Sequence, residues 1–117
     1  MDLLTSWKKL KDMNLTEKTH NDFLKEKEVT LVDYYASWCG PCKILAPIID
    51  NLSNDTELKD NVSVGKVDVE EEFRLSSDLN IMNLPTVIIY KNGEEKERLI
   101  GLQSPDTYKD KIKYYLN

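Results

Sequence analysis

The chain has few of the residues that mark irregular, stapled or membrane-bound proteins: four glycines, four prolines and two cysteines in 117 residues. So little Gly and Pro excludes collagenous and low-complexity chains. Long apolar runs are also missing. The longest are brief segments such as Val87 to Tyr90, far short of the roughly 20 residues that span a bilayer, and no membrane partner is expected. Met1-Asp2-Leu3-Leu4 carries neither the basic leader nor the apolar stretch of a signal peptide, so a cytoplasmic location is expected. Positive charge is in deficit, with 16 Lys and Arg against 21 Asp and Glu and a net charge of −5. That balance offers no basic field for nucleic acid. Histidine occurs once, as His20, which is expected on the surface of the first helix. Two Cys and a single His fall short of the four ligands of structural zinc, and no metal site is expected.

What is present suits one ordinary core. The residues are 40% hydrophobic and 32% charged, and a domain of this length buries about two thirds of its unfolded surface. There is no internal repeat and no linker, so residues 15–117 read as one domain behind an extension, residues 1–14. Leu3, Leu4, Trp7 and Leu10 of the extension fall at helical spacing and suit a short amphipathic helix or a first strand.

Thr16 before Glu17 to Lys25 predicts a capped short helix. Val29 to Ala36 reads as a strand, and Cys39 to about Ser53 as a helix with Ile44, Leu45, Ile48, Ile49 and Leu52 along one broad face. Pro47 lies inside that helix and is expected to kink it. Val62 to Val69 reads as a strand, Glu71 to Leu79 as a helix, and Thr86 to Lys91 as a strand apolar on both faces. Asn92-Gly93 supplies the two positive-φ residues of a type I′ turn, making Glu94 to Ile100 a hairpin partner. Ser104 caps a last helix that opens on Pro105 and carries Tyr108, Ile112, Tyr115 and Leu116. Strands alternating with helices imply parallel pairing, and the hairpin adds antiparallel strands. The expected fold is α/β, a central mixed sheet with helices on both faces.

Trp38-Cys39-Gly40-Pro41-Cys42 ends an apolar strand and opens a helix. A disulfide across so short a loop restricts little chain entropy, so the pair suits chemistry better than stapling. The nucleophile is a thiolate, and an ordinary thiol with a pKa of about 8.5 is scarcely ionised near neutrality. At a helix start, the dipole and the free amides of the first turn both favour an anion at Cys39. Cys42, one turn on, is expected on the same face and more buried. Cys39 then attacks a substrate disulfide, and Cys42 resolves the mixed disulfide. Pro41 suits the first helical turn, where its missing N–H costs least.

Two charges interrupt apolar strands. Asp33 sits among Leu31, Val32, Tyr34 and Tyr35, where a buried carboxyl is held above its usual pKa; a strand-end carboxylate in water is the alternative. Lys66 lies between Val64 and Val67, and a solvated lysine on an open sheet face is its alternative.

From about Leu15 to the C-terminus the chain resembles the thioredoxin family. The resemblance rests on Leu31-Val32-Asp33-Tyr34-Tyr35-Ala36-Ser37-Trp38-Cys39-Gly40-Pro41-Cys42-Lys43, joined by Leu84-Pro85-Thr86, Lys91-Asn92-Gly93 and Gly101. It implies the thioredoxin fold and a protein-disulfide reductase that maintains cell redox homeostasis. Under it, Asp33 is the buried aspartate that exchanges a proton with Cys42 through water, Lys66 modulates that aspartate, and Pro85 is a cis-proline facing the disulfide. Trp38, Gly40, Pro41, Leu84, Pro85 and Gly101 then form the substrate-binding surface. No bound cofactor is implied: without a Gly-x-Gly-x-x-Gly motif the chain takes electrons from NADPH through a separate thioredoxin reductase. The other implied partners are disulfide-containing target proteins, met by a monomer. Tyr35, where many relatives carry tryptophan, and Asn83, where a small residue is frequent, depart from the pattern. An oxidase or isomerase is the alternative within the same chemistry, and a binding subunit with incidental thiols the alternative outside it.

Overall fold

The computed structural model describes residues 13–116. The stripe Leu3, Leu4, Trp7 and Leu10 lies outside them. Eight elements follow in order: α1 (His20–Phe23), β1 (Val29–Tyr35), α2 (Gly40–Ser53), β2 (Val62–Asp68), α3 (Phe73–Asp78), β3 (Thr86–Lys91), β4 (Glu94–Ile100) and α4 (Pro105–Leu116). The strands form one four-stranded sheet in the order β2-β1-β3-β4. β1 and β2 are parallel, and β3 is antiparallel to both β1 and β4. The mixed sheet is the one that the alternation of strands and helices implies.

Residue alternation along the strands sorts side chains onto two faces. On one face Val29, Leu31, Val62, Val64, Val87 and Ile89 pack with Leu45, Ile49 and Leu52 of α2 and Tyr108 and Ile112 of α4. On the other, Val32, Tyr34, Val67, Ile88 and Tyr90 pack with Leu24 beside α1, with Leu75 of α3 and with Leu79 at its C-terminal cap. Burying each such Leu or Ile side chain contributes about 2 kcal/mol, so α2 and α4 are held by their apolar faces and not by intrinsic propensity. β3 is covered on both sides, with five buried residues before Lys91, as its continuous apolar run implies.

Local chemistry sets the boundaries. Asn92 and Gly93 take φ of 53° and 82°, the geometry of the expected turn. Ser104 Oγ accepts from the Thr107 N–H at 3.3 Å and caps α4. α2 runs unbroken through Pro47. Met13 to Leu15 lie along the outer edge of β2: Lys66 N–H donates to Met13 O at 2.6 Å, and Leu15 N–H donates to Lys66 O at 2.7 Å.

Four expectations need correction. The helix predicted over Glu17 to Lys25 is regular only over His20–Phe23. Thr16 still ties the turn, its Oγ1 accepting from Thr19 N–H at 3.3 Å, but so short a segment propagates few helical bonds. The helix expected from Glu71 starts at Phe73, because the Asp68 carboxylate draws the Glu70 and Glu71 amides into a turn, at 2.9 and 3.3 Å. Ile44 does not share the buried face of α2: it is 59% exposed, lying about 100° around the helix from buried Leu45. His20 is not on the surface. It is 2% exposed, and its Nε2 meets the Tyr34 hydroxyl at 2.7 Å. Tyr34 in turn meets the Tyr90 hydroxyl at 2.7 Å, so the imidazole has a polar partner inside the second core layer.

Candidate active site

β1 delivers the chain through Ala36 to Cys39, which becomes the N-cap of α2 in extended conformation, φ −82° and ψ 117°. Pro41 falls in the first turn, and Cys39 Sγ accepts from the Cys42 N–H at 3.3 Å. A free amide is thus aimed at the sulfur, the arrangement that stabilises a thiolate. Cys39 and Cys42 are joined as a disulfide, with Cα atoms 5.3 Å apart. Both are largely covered, Cys39 at 5% exposed and Cys42 at 3%. The expected difference between them is therefore slight in the oxidised state, because the disulfide lies against Ala36 with Val69 and Leu84 packed on it.

Behind the disulfide lies a cleft of about 110 Å³ lined by Asp33, Ala36, Cys42, Ala46 and Lys66, among others. That is room for water several times over. Asp33 is 1% exposed, and neither carboxyl oxygen has a hydrogen-bond partner among the described residues. Burial pushes its pKa up to about 7, with the Lys66 charge opposing the rise. In the parallel register Asp33 lies beside Lys66, so the two interrupting charges share one face of the sheet, below Cys42. Lys66 is half-buried. Its Nζ sits 5.4 Å from the centre of the Tyr35 ring.

The outer surface is apolar. Trp38 is 67% exposed, Gly40 and Pro41 are exposed, and Leu84 touches the cysteine cluster. The Leu84-Pro85 peptide is cis, as the resemblance implies. Pro85 O accepts from Gly101 N–H at 2.8 Å, which brings the loop before β3 and the end of β4 together. Gly101 takes φ of 84°, and a Cβ there would meet nothing within 4 Å, so its surface is open. Sequence reasoning missed Val69, which packs on the disulfide from the end of β2, because only the pairing of β2 with β1 brings it there. It also missed the exposure of Ile44 and Ile100, at 59% and 54%.

A mixed sheet that presents a Cys-Gly-Pro-Cys pair at a helix start, with a buried carboxyl behind it, defines a thiol-disulfide oxidoreductase. The thioredoxin family model matches residues 11–114. The chain is 41% identical over 100 residues to thioredoxin of Rickettsia prowazekii, covering 85% of this chain and 93% of that one. It is 39% identical over 111 residues to the M-type chloroplastic thioredoxin of Spinacia oleracea, covering 94% of this chain but only 59% of the longer spinach protein. Among solved structures, the N21Q mutant thioredoxin from Halobacterium salinarum NRC-1 superposes with a TM-score of 0.82 at 33% identity, over 90% of each chain. The chain belongs to the thioredoxin family, and its active-site pair carries that family's dithiol-disulfide reductase chemistry.

Among the described residues no cluster of His, Cys, Asp or Glu could hold a metal ion. None of their helices is long and apolar enough to cross a membrane.

Proposed function

We propose that Cys39 is the attacking thiol and Cys42 the resolving thiol of a general protein-disulfide reductase. The observation that carries the assignment is the Cys42 amide directed at Cys39 Sγ from the first turn of α2. The Cys39 thiolate attacks one sulfur of a target disulfide, forming a mixed disulfide and expelling the other sulfur as a thiolate, which takes a proton. Cys42 loses its proton, attacks Cys39 Sγ and breaks the mixed disulfide, so that the dithiol gives two electrons to the target and becomes the Cys39–Cys42 disulfide.

Asp33 is the acceptor of the Cys42 proton, through water in the cleft they share. A carboxyl with a pKa raised to about 7 is near the optimum for moving a proton at neutral pH. Lys66 modulates that carboxyl by its charge. Trp38, Gly40, Pro41, Leu84, Pro85 and Gly101 form the shallow surface on which an extended target segment lies. Electrons come from NADPH through a separate thioredoxin reductase, and the reaction runs in the cytoplasm, where thiols are kept reduced.

The test is reduction of insulin disulfides with dithiothreitol as electron source, wild type against Cys39→Ser. Fast reduction is expected in the wild type and background in the variant; equal background rates would overturn the general-reductase reading. Replacing dithiothreitol by NADPH and thioredoxin reductase tests the electron source separately.

A further inference from the structure

Lys66 influences Asp33, yet no ion pair joins them among those formed by the described residues. The ammonium instead lies over the ring of Tyr35. Its centre lies 5.4 Å from Lys66 Nζ, within the range of about 6 Å over which an aromatic face attracts a cation. Asp33 and Tyr35 are two apart on β1 and so share a face, while Lys66 is the register partner of Asp33 on β2. All three line one cleft with Cys42. A lysine side chain is long, and in the absence of a partner its head favours bulk water.

We propose that Tyr35 is a positioning residue of the exchange reaction: its ring holds the Lys66 ammonium over the cleft and so sets the charge that Asp33 faces when it takes the Cys42 proton. The proposal rests on the reading of Asp33 as that acceptor. The groups around Asp33 are consistent with it. Tyr35 stands on its own strand, Lys66 on β2, Cys42 and Lys43 on α2, and Tyr108 of α4 feels the Asp33 charge. Asp68, Asp33 and Glu71 all act on the Tyr35 phenol and, after burial, hold it in its neutral form, whereas neither Asp68 nor Glu71 bears on Asp33. Of the two lysines lining the cleft, Lys66 is the one whose charge bears on Asp33. An uncharged phenol offers Asp33 no charge of its own, so the ring at position 35 acts through Lys66, and its face matters more than its hydroxyl.

The test follows ionisation directly, by carbon NMR of the Asp33 carboxyl across pH in wild type, Tyr35→Leu, Tyr35→Phe, Lys66→Met and the Tyr35→Leu/Lys66→Met double variant. In the wild type the Lys66 ε-methylene protons are expected upfield of their free-lysine position because they lie against the ring; unshifted protons would overturn the proposal without any variant being made. Tyr35→Leu is expected to raise the Asp33 midpoint by about half a pH unit, Tyr35→Phe to leave it in place, and the double variant to match Lys66→Met. An unmoved midpoint in Tyr35→Leu, or an equal displacement with and without Lys66, overturns the proposal. The pH profile of insulin reduction is then compared. A rate profile that stays put while the carboxyl midpoint moves leaves the hold on Lys66 standing and overturns instead the assignment of proton transfer to Asp33.

Discussion

Asp33 carries the largest conflict between chemistry and stability. Its pKa is raised from 3.8 to about 7, chiefly by burial. The unfolded chain therefore releases this proton at lower pH than the folded one. The stabilising effect of the protonated form is complete below pH 3.8 and is lost as pH rises through about 7. The full difference is worth about 4 kcal/mol, of which the small cavity left by truncation offsets a part. Asp33→Ala is expected to stabilise the protein by about 2 to 4 kcal/mol at pH 8 and by much less at pH 4, read from urea unfolding. Equal stability of wild type and variant at pH 8 would show that the carboxyl is solvated. The same variant is expected to slow disulfide reduction, since the cleft then holds no proton acceptor beside Cys42.

Within the elements, β2 shows how a strand can be fixed by a residue that no motif marks. Gly65 lies on the face of β2 opposite Lys66, beneath Leu15 and Phe23. A Cβ at Gly65 would stand 2.8 Å from Leu15 Cδ1 and 2.9 Å from Phe23 Cε2. Glycine is required there for close approach, not for φ. Gly65→Ala is expected to cost about 1 to 2 kcal/mol by overpacking, seen as a lower urea midpoint with an unchanged slope. A stabilising effect, through the reduced freedom of the unfolded chain, would mean that Leu15 and Phe23 yield easily. β4 is the opposite case, a strand at the sheet edge whose Glu94, Glu95 and Lys96 are exposed, which discourages pairing with other chains.

For the whole molecule, two buried titratable groups on opposite faces of the sheet work against each other. Burial lowers the pKa of His20 below 6.5, so its neutral form is favoured in the fold. Its contribution is complete above pH 6.5 and is lost as pH falls through the lower folded value. Asp33 changes stability in the opposite sense over its own range. Between pH 7 and pH 5 the two effects therefore oppose each other in the wild type. Asp33→Ala is expected to lose stability on acidification over that range, whereas His20→Gln, whose amide can still meet the Tyr34 hydroxyl, is expected to gain it. Unfolding curves at four or five pH values check this, and parallel profiles for the two variants would refute the opposition.

The reach of the sequence ends where contacts between distant segments begin. The alternation of apolar runs with helical faces, the Asn92-Gly93 turn and the Ser104 cap are local signals, and the elements they imply are present. The cysteine pair at a helix start is also local, and its chemistry follows from backbone amides within one turn. Tertiary structure alone decided the rest. Whether Asp33 is buried, whether Lys66 neighbours it, and that Val69 and Leu84 gather around the disulfide all depend on which strands pair and in what register. His20 shows the limit most plainly. A polar residue on a short helix reads as exposed, and only the packing of that helix against Tyr34 and Tyr90, brought together by β1 and β3, gives the imidazole a partner and a reason to be inside. Burial is a property of what lies opposite a side chain, and one stretch of chain carries no record of its opposite.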